Sequence, residues 1–252
     1  MKSVKGGEMF YSLILAGGVG SRIKNSDRPK QYIEVMGMPI FMYSLLVLEK
    51  NFNIEKIVMV ADTQWRPYID FWIKKEGITK LIDYALPGAS RQESIFNGLI
   101  VCKKYLDEND YILIHESARP NLDDDIIENI IKETLKNDGA VGTTPVKDTL
   151  YYSDKDGKLL SIPKREYLYL GQNPECFLFS PYYKIHLGKT PEELKNYSGA
   201  VQIAIENNMK IGLAVGKDKN FKITTDEDIN IFKYHLNKTV YSGREHSKKE
   251  QL

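Results

Sequence analysis

A short apolar run in this chain ends directly in a glycine-rich segment, and this junction narrows the choice of folds more than any other part of the sequence. The apolar run covers residues 11–15 (YSLIL), and the segment after it reads AGGVGSR over residues 16–22. A buried strand that ends in such a turn is typical of α/β proteins whose backbone N–H groups bind phosphate. Glycine permits this approach because no Cβ stands between the backbone and the phosphate oxygens. The junction therefore predicts a phosphate-binding loop, with an ordinary tight turn as the alternative.

Two cations follow the glycines at a spacing that suits a triphosphate. Arg22 closes the segment, and Lys30 follows within the stretch RPKQ at residues 28–31. Two better-known phosphate-binding motifs do not match these residues. The dinucleotide fingerprint requires a glycine where Ile23 stands, and the Walker motif requires Gly-Lys-Ser/Thr where the chain reads IKN over residues 23–25. The predicted loop therefore belongs to another class of nucleotide-binding protein.

Composition limits the kinds of partner that the chain can have. The 252 residues are 42% hydrophobic, and the 35 Lys and Arg residues are balanced by 34 Asp and Glu residues. Such a balance gives no global basic field for a nucleic acid or an anionic membrane, so we predict neither partner. Cys102 and Cys176 lack metal-binding spacing, which favours free thiols in a reducing compartment. No apolar run approaches the length of about 20 residues that spans a membrane, and we expect a cytoplasmic protein.

Short apolar runs alternate with helical patterns along the first part of the chain. This alternation predicts an α/β fold with a Rossmann-like, mostly parallel sheet and helices on both faces. We expect one domain over residues 9–240, with flexible ends at 1–8 and 241–252. The predicted strands are 11–15, 56–61, 81–85, 111–115 and 140–145, and the predicted helices are 40–50, 64–75, 91–104 and 124–137.

Ligands of parallel sheets bind beyond the carboxyl ends of the strands. This rule places residues 17–22, 88–91 and 115–119 around one crevice. Within the last of these segments, Glu116 could bind Mg²⁺ or orient a substrate hydroxyl, and Arg119 could bind a phosphate. A polar strand end without such a role is the alternative. Farther on, Thr225 and Asp228 have the spacing of a helix capping box.

Over residues 147–171 the alternation of strand and helix patterns gives way to two strand-like segments around a turn. The segments DTLYY (148–152) and KLLSI (158–162) flank the turn DKDG (154–157), which predicts a protruding β-hairpin arm. Its tyrosines and leucines would be exposed unless another surface covers them. We therefore expect a homodimer formed through the arm, with an arm folded back on its own domain as the alternative.

Blocks spread over residues 11–235 together resemble the 2-C-methyl-D-erythritol 4-phosphate cytidylyltransferases and their relatives, the ribitol-5-phosphate cytidylyltransferases. The blocks are LAGGxGSR from residue 15, PKQY from 29, GxPI from 37, RQxSIxNG from 91, HxxARP from 115, PVxDT from 145 and NxKIT from 220. The resemblance implies that a polyol phosphate attacks the α-phosphorus of CTP and expels pyrophosphate, with Mg²⁺ and without a covalent enzyme intermediate. Such chemistry depends mainly on alignment and charge stabilisation.

The resemblance also implies roles for particular residues. The residues implied in catalysis are Arg22, Lys30 and Lys222; those implied in nucleotide binding are Ala16, Gly17, Gly18, Gly20, Gly88, Arg91, Ser94 and Ser117; and those implied in binding the polyol phosphate are Glu116, Arg119, Thr149, Arg165 and Asn173. Glu116 is in addition the candidate metal ligand, and the neighbouring subunit's arm is implied at the acceptor site.

The sequence departs from the family pattern on the acceptor side. Glu116 replaces the usual Asp, the stretch NPE at 173–175 replaces Thr-Pro-Gln, and YSGA at 197–200 replaces Thr-Asp-Asp/Glu-Ala. The stretch YLGQNP at 169–174 and the pair Gly17-Gly18 are closer to the ribitol-phosphate enzymes, so ribitol 5-phosphate or a similar polyol phosphate is the expected acceptor. Methylerythritol phosphate is the alternative acceptor. Alternatives of another kind are a catalytically silent CTP sensor, a sugar-1-phosphate nucleotidyltransferase and a dehydrogenase.

Overall fold

The computed structural model describes residues 7–18 and 27–249, with side chains described as far as residue 238. These described residues form eleven strands and eight α-helices. The strands are β1 (Phe10–Leu15), β2 (Glu34–Val35), β3 (Met38–Pro39), β4 (Ile54–Val60), β5 (Leu81–Ala85), β6 (Tyr111–Glu116), β7 (Gly139–Pro145), β8 (Tyr152–Ser153), β9 (Leu159–Ser161), β10 (Tyr169–Leu178) and β11 (Ile211–Val215). The helices are α1 (Ile40–Lys50), α2 (Arg66–Glu76), α3 (Arg91–Cys102), α4 (Asp124–Thr134), α5 (Phe179–Leu187), α6 (Pro191–Lys195), α7 (Ala200–Glu206) and α8 (Asp226–Lys249).

A seven-stranded sheet in the order β11-β7-β10-β6-β1-β4-β5 forms the centre of the molecule. Strand β10 is antiparallel to both of its neighbours, whereas the other strand pairs of this sheet are parallel. The predicted Rossmann-like, mostly parallel sheet is therefore confirmed. The antiparallel β10 was not predicted; it enters the sheet between β6 and β7 after the chain returns from the hairpin arm.

Helices cover both faces of the sheet because the side chains of the central strands alternate between the faces. In β1, Phe10 and Ile14 pack into the core beneath α1, α2 and α4. Tyr11 and Leu13 point to the other face and pack with α3, α5, α6 and α7. Near-continuous apolar strands of this kind are expected where a parallel sheet is buried on both sides.

Local side-chain chemistry sets the helix boundaries close to the predicted ones. Ser90 caps α3 by accepting a hydrogen bond from the N–H of Glu93, and Asp123 caps α4 by accepting one from the N–H of Ile126. The predicted capping box is present at the start of α8, where Thr225 and Asp228 exchange side-chain to backbone hydrogen bonds. Helix α8 continues to Lys249, past the domain boundary expected near residue 240, because no proline interrupts it.

The predicted hairpin arm is present but its strands are shorter than expected. Strands β8 and β9 pair around a turn in which Asp154 Oδ1 accepts hydrogen bonds from the N–H groups of Asp156 and Lys158. Gly157 adopts a φ of +81°, which favours glycine. The arm is not buried against its own domain: Tyr151, Tyr152 and Leu160 are more than half exposed. Within the described part of the chain, no helix is long and apolar enough to span a membrane.

Candidate active site

A cleft of about 390 Å³ opens at the carboxyl ends of β1, β5 and β6. The segments that line it come from distant parts of the sequence, as the parallel sheet predicts. Its lining residues are Leu15, Gly17, Gly18, Lys30, Gln31, Val60, Gly88, Ala89, Ser90, Arg91, Ser94, Glu116, Ser117, Ala118, Lys222 and Thr224. The described part of the glycine-rich segment, Gly17 and Gly18 (hereafter the glycine loop), lies in this cleft. Two of the three residues implied in catalysis and most of those implied in nucleotide binding line it as well.

The glycine loop lies against the loop that follows β5. A Cβ added to Gly17 would stand 2.5 Å from the Cβ of Pro87, a distance that requires the two loops to move apart. Within residues 7–18 and 27–249, no group accepts a hydrogen bond from the N–H of Gly17 or Gly18. Unsatisfied backbone N–H groups on a cleft wall are suited to bind phosphate oxygens.

Glu116 is the electrostatic centre of the cleft. Its Oε1 lies 3.0 Å from Arg91 Nε, and its Oε2 lies 2.9 Å from Lys222 Nζ. Arg119 Nε approaches the same Oε2 at 3.5 Å. One largely buried carboxylate thus holds three cations that come from α3, from the end of β6 and from the segment before α8.

The ionisation of Glu116 reflects two opposing effects. Burial favours the neutral acid, but the charges of Arg91, Lys222 and Arg119 outweigh it and lower the pKa of Glu116 to about 2. Glu116 is therefore a carboxylate at any pH at which the protein would work. Burial lowers the pKa of the adjacent His115 to about 4, so its imidazole is neutral, and its Nε2 donates a hydrogen bond to the carbonyl of Arg119 at 3.1 Å.

Arg91 is held from two sides. Besides Glu116, it donates from Nη2 to Glu175 Oε2 at 2.9 Å, and these two carboxylates raise its pKa against the opposing effect of burial. Glu175 lies on β10. Because the sequence analysis did not predict where β10 lies in the sheet, it missed the contact between Glu175 and Arg91. Its only sequence signal was the departure from the family pattern at residues 173–175. Glu116 is another of the departures, and both Glu116 and Glu175 bind Arg91.

The start of α3 and the turn before it form another wall of the cleft. The N–H of Gly88 donates to Ser94 Oγ at 3.0 Å, and Ser94 Oγ donates to the carbonyl of Ser90 at 2.9 Å. A Cβ on Gly88 would lie 2.4 Å from Glu93 Cγ. On the opposite wall, Ser117 Oγ donates to the carbonyl of Leu15 at 2.8 Å. These bonds fix a narrow turn beside the glycine loop.

The segment that carries Lys222 is fastened to the domain at several points. Lys217 binds Asp123 and Asp125 at the start of α4, and Gln172 donates to the carbonyl of Lys217 at 3.1 Å. Farther along, Arg119 Nη1 donates to the carbonyl of Asn220 at 2.8 Å. These contacts at Lys217 and Asn220 fix the backbone just before Lys222.

Several residues that the resemblance implied do not line this cleft. Arg119 lies behind Glu116, and Asn173 is buried, with its carbonyl bound by Asn220 Nδ2 at 2.6 Å. Thr149 is exposed at the base of the arm. Arg165 lies in a second cleft with Pro145, Val146, Lys164 and Glu166, where it donates to the carbonyl of Lys147.

Other implied residues lie behind the loop or beyond the described chain. Ala16 lies behind the glycine loop, where its carbonyl accepts hydrogen bonds from Gln31 and Tyr32. Gly20 and Arg22 lie outside the residues that the structure describes. Ser198, in the altered stretch 197–200, donates to Gln202 and does not line the cleft.

The arrangement does not fit Glu116 as a magnesium ligand. Both of its carboxylate oxygens already bind cations, and the described residues contain no group of three or more His, Cys, Asp or Glu side chains that could hold a metal. Mg²⁺ prefers carboxylates and phosphate oxygens that are free to coordinate it. We therefore assign no step of the reaction to a metal held by this carboxylate.

Comparison with known proteins identifies the family to which the chain belongs. The sequence profile of the IspD family, described as 2-C-methyl-D-erythritol 4-phosphate cytidylyltransferase, matches residues 10–238. The chain is 32% identical over 226 residues to a ribitol-5-phosphate cytidylyltransferase of Vibrio parahaemolyticus serotype O3:K6 (strain RIMD 2210633), covering 89% of this chain and 94% of that protein. It is 35% identical over 231 residues to a 2-C-methyl-D-erythritol 4-phosphate cytidylyltransferase of Clostridium kluyveri (strain NBRC 12016), covering 89% and 97%.

The fold of this chain also resembles that of a solved structure. The crystal structure of 4-diphosphocytidyl-2C-methyl-D-erythritol synthase from Anaerococcus prevotii DSM 20548 aligns with a TM-score of 0.77 at 25% identity, covering 92% of this chain and all of that chain. The resemblance noted in the sequence is thereby confirmed over nearly the whole chain. The chain belongs to the IspD family and is a nucleotidyltransferase that uses CTP and a polyol phosphate.

Proposed function

We propose that this enzyme transfers CMP from CTP to ribitol 5-phosphate and releases CDP-ribitol and pyrophosphate. A phosphate oxygen of the acceptor would form a bond to the α-phosphorus, and the bond from that phosphorus to the bridging oxygen of pyrophosphate would break. The observation that carries the proposal is the cleft in which Lys30, Lys222 and the Gly17–Gly18 segment face one space.

The charges of this cleft suit an in-line displacement. Negative charge builds on the α-phosphate as the acceptor approaches. Cations held in fixed positions in the cleft stabilise this charge more strongly than water does. Lys222 is the candidate for this role because the carboxylate of Glu116 holds its ammonium group at the cleft wall. Lys30, on the opposite segment, would neutralise the phosphates that leave as pyrophosphate, together with Arg22. This role for Arg22 rests on the family resemblance alone.

Ribitol 5-phosphate is favoured over methylerythritol phosphate by the stretch YLGQNP at residues 169–174. In the structure, Gln172 of this stretch supports the base of the Lys222 segment through the carbonyl of Lys217. The stretch that resembles the ribitol-phosphate enzymes is therefore in contact with the segment that carries Lys222. Percentage identity does not discriminate between the two acceptors, since relatives named for either substrate are about equally similar to this chain.

Pyrophosphate release from CTP, measured with an acceptor panel, tests this proposal. The panel contains ribitol 5-phosphate, other pentitol phosphates, glycerol 3-phosphate, methylerythritol 4-phosphate and glucose 1-phosphate, each with CTP and Mg²⁺. We expect the highest kcat/KM with ribitol 5-phosphate and none with glucose 1-phosphate. A higher kcat/KM with methylerythritol 4-phosphate would overturn the choice of acceptor. CTP binding without turnover on any acceptor would support the silent sensor.

We also propose that two copies of the chain associate through the hairpin arm. The arm carries Leu150, Tyr151, Tyr152, Leu159, Leu160 and Ile162, each at least 41% exposed. Such a concentration of exposed apolar side chains on one short arm is unusual on a monomer. Arg165 and Thr149 lie at the base of the arm rather than in the cleft, so a partner copy could bring its own Arg165 and Thr149 to the acceptor.

Light scattering at several protein concentrations tests the dimer. We expect a dimer for the wild type and dissociation on replacing Tyr151 and Leu160 together by serine. A wild-type monomer with full activity would contradict the proposal.

A further inference from the structure

Gln31 makes two hydrogen bonds that the sequence did not reveal. Its side chain is almost completely buried, with 3% of the residue exposed, although it also borders the cleft. The Nε2 atom donates to the carbonyl of Ala16 at 2.6 Å and to the carbonyl of Gly18 at 2.8 Å. Since both partners are acceptors, the atom between them must be the amide nitrogen, and both of its hydrogens are used.

These bonds fix the peptide groups of the glycine loop. A trans peptide is planar, so its C=O and N–H groups point in opposite directions. Holding the carbonyl of Ala16 against Gln31 therefore directs the N–H of Gly17 away from Gln31. Tyr32 adds a further hydrogen bond from its hydroxyl to the same carbonyl at 2.9 Å. Glycine without such bonds would sample many backbone conformations.

The same short turn connects this loop to a cation. Residues Lys30–Tyr32 form a single 3-10 turn, so the backbone of one short element positions all three side chains. Lys30 lines the cleft, while its two neighbours along the chain hold the backbone of the glycine loop. The position of the lysine is thereby tied to the position of the loop.

We propose that Gln31 is the positioning residue of the triphosphate site. It sets the orientation of the N–H group at Gly17, holds the carbonyl of Gly18 and keeps this segment in register with Lys30, so that the segment and the lysine can bind the same triphosphate. The inference rests on the proposed use of CTP and extends it, because it assigns the preorganisation of the phosphate loop to one side chain. Gln31 itself needs no contact with the reacting atoms.

The test compares two ligands that share the nucleoside but differ in phosphate. The variant Gln31→Met keeps the length of the side chain and removes both donors. Loss of both hydrogen bonds should weaken CTP binding by roughly tenfold or more. CMP, whose cytidine would contact the start of α3 instead, should bind within about twofold of the wild type. Calorimetry of both ligands measures the difference, and Gln64→Met, at an exposed glutamine, is the matched control.

The outcomes separate the inference from a general loss of structure. Equal weakening of CTP and CMP would show that Gln31 only supports the fold, and unchanged CTP binding would show that the loop orients itself; either result overturns the proposal. Tyr32→Phe removes one of the donors to Ala16 and should weaken CTP binding less than Gln31→Met. The ligand comparison needs no acceptor. A wild type that binds CTP but forms no CDP-polyol would therefore count against the proposed function and leave the role of Gln31 to be decided by binding.

Discussion

Replacing Glu116 by glutamine is expected to destabilise the protein by about 3 kcal/mol at neutral pH. Glutamine has nearly the same shape but no charge, so Arg91, Arg119 and Lys222 would lose the anion that they share. The side chain of Glu116 is only 13% exposed, and water can replace little of the lost interaction. Breaking a buried ion pair from one side is costly for this reason.

The magnitude follows from the ionisation of Glu116. Its pKa falls from the ordinary 4.5 to about 2 in the folded protein, which corresponds to about 3 kcal/mol of stability. Because the folded-state pKa is the lower one, this contribution is complete above pH 4.5. It is lost as the pH falls toward about 2, where the folded protein also takes up the proton. For a chain of this size, the loss amounts to a decrease in Tm of roughly 10 °C.

Urea unfolding of the wild type and Glu116→Gln at pH 7 measures the difference directly. A second series between pH 5 and pH 3 should show the two unfolding free energies converging as the wild type loses its advantage. Glu108→Gln is the control, because Glu108 is exposed and has no ion pair within the described chain. A Glu116→Gln variant as stable as the wild type at pH 7 would refute the reasoning. The dependence of enzymatic activity on the Mg²⁺ concentration should be the same in the wild type and in Glu116→Gln, because we assign no Mg²⁺ to this carboxylate.

Three further predictions test the geometry of the cleft. Lys222→Ala should lower kcat by at least about a hundredfold with little change in CTP affinity, measured by steady-state kinetics and calorimetry; unchanged kcat would remove Lys222 from the transition state. Gly17→Ala should weaken CTP binding by about tenfold because its Cβ would meet Pro87 at 2.5 Å, whereas Gly18→Ala, with nothing within 4 Å, should have a smaller effect; equal effects would refute the steric argument. Glu175→Gln should reduce the free energy of urea unfolding by about 2 kcal/mol through its bond to Arg91; no change would show that Glu116 alone holds the guanidinium.

Much of the fold follows from local patterns in the sequence. Apolar runs separated by amphipathic segments gave the early parallel strands because each strand must bury both faces. The convergence of the glycine loop, the Arg91 segment and Glu116 could also be predicted, since the carboxyl ends of parallel strands share one edge. Lys30 and Lys222 were found through the motif blocks rather than through periodicity.

The remaining features depend on contacts between residues far apart in the chain. The antiparallel pairing of β10 places Glu175 beside Arg91, and no local pattern encodes that pairing. The contacts of Gln31 with Ala16 and Gly18 likewise depend on how the chain folds back after the glycine loop. Asn173 was expected at the acceptor but lies buried, because β10 carries an irregularity between Gln172 and Glu175 and Asn220 binds its carbonyl. Sequence motifs identified such residues without showing what they touch.

The most direct test of the account is a crystal structure of the protein with CTP. We predict the triphosphate in the cleft between the Gly17–Gly18 segment and Lys222, with Lys30 in contact with its phosphates and the cytosine beside Gly88 and Ser94. Gln31 should still bind the carbonyls of Ala16 and Gly18. A nucleotide bound elsewhere, or a triphosphate without contact to Lys30 and Lys222, would contradict the central claim that this cleft is the site of cytidylyl transfer.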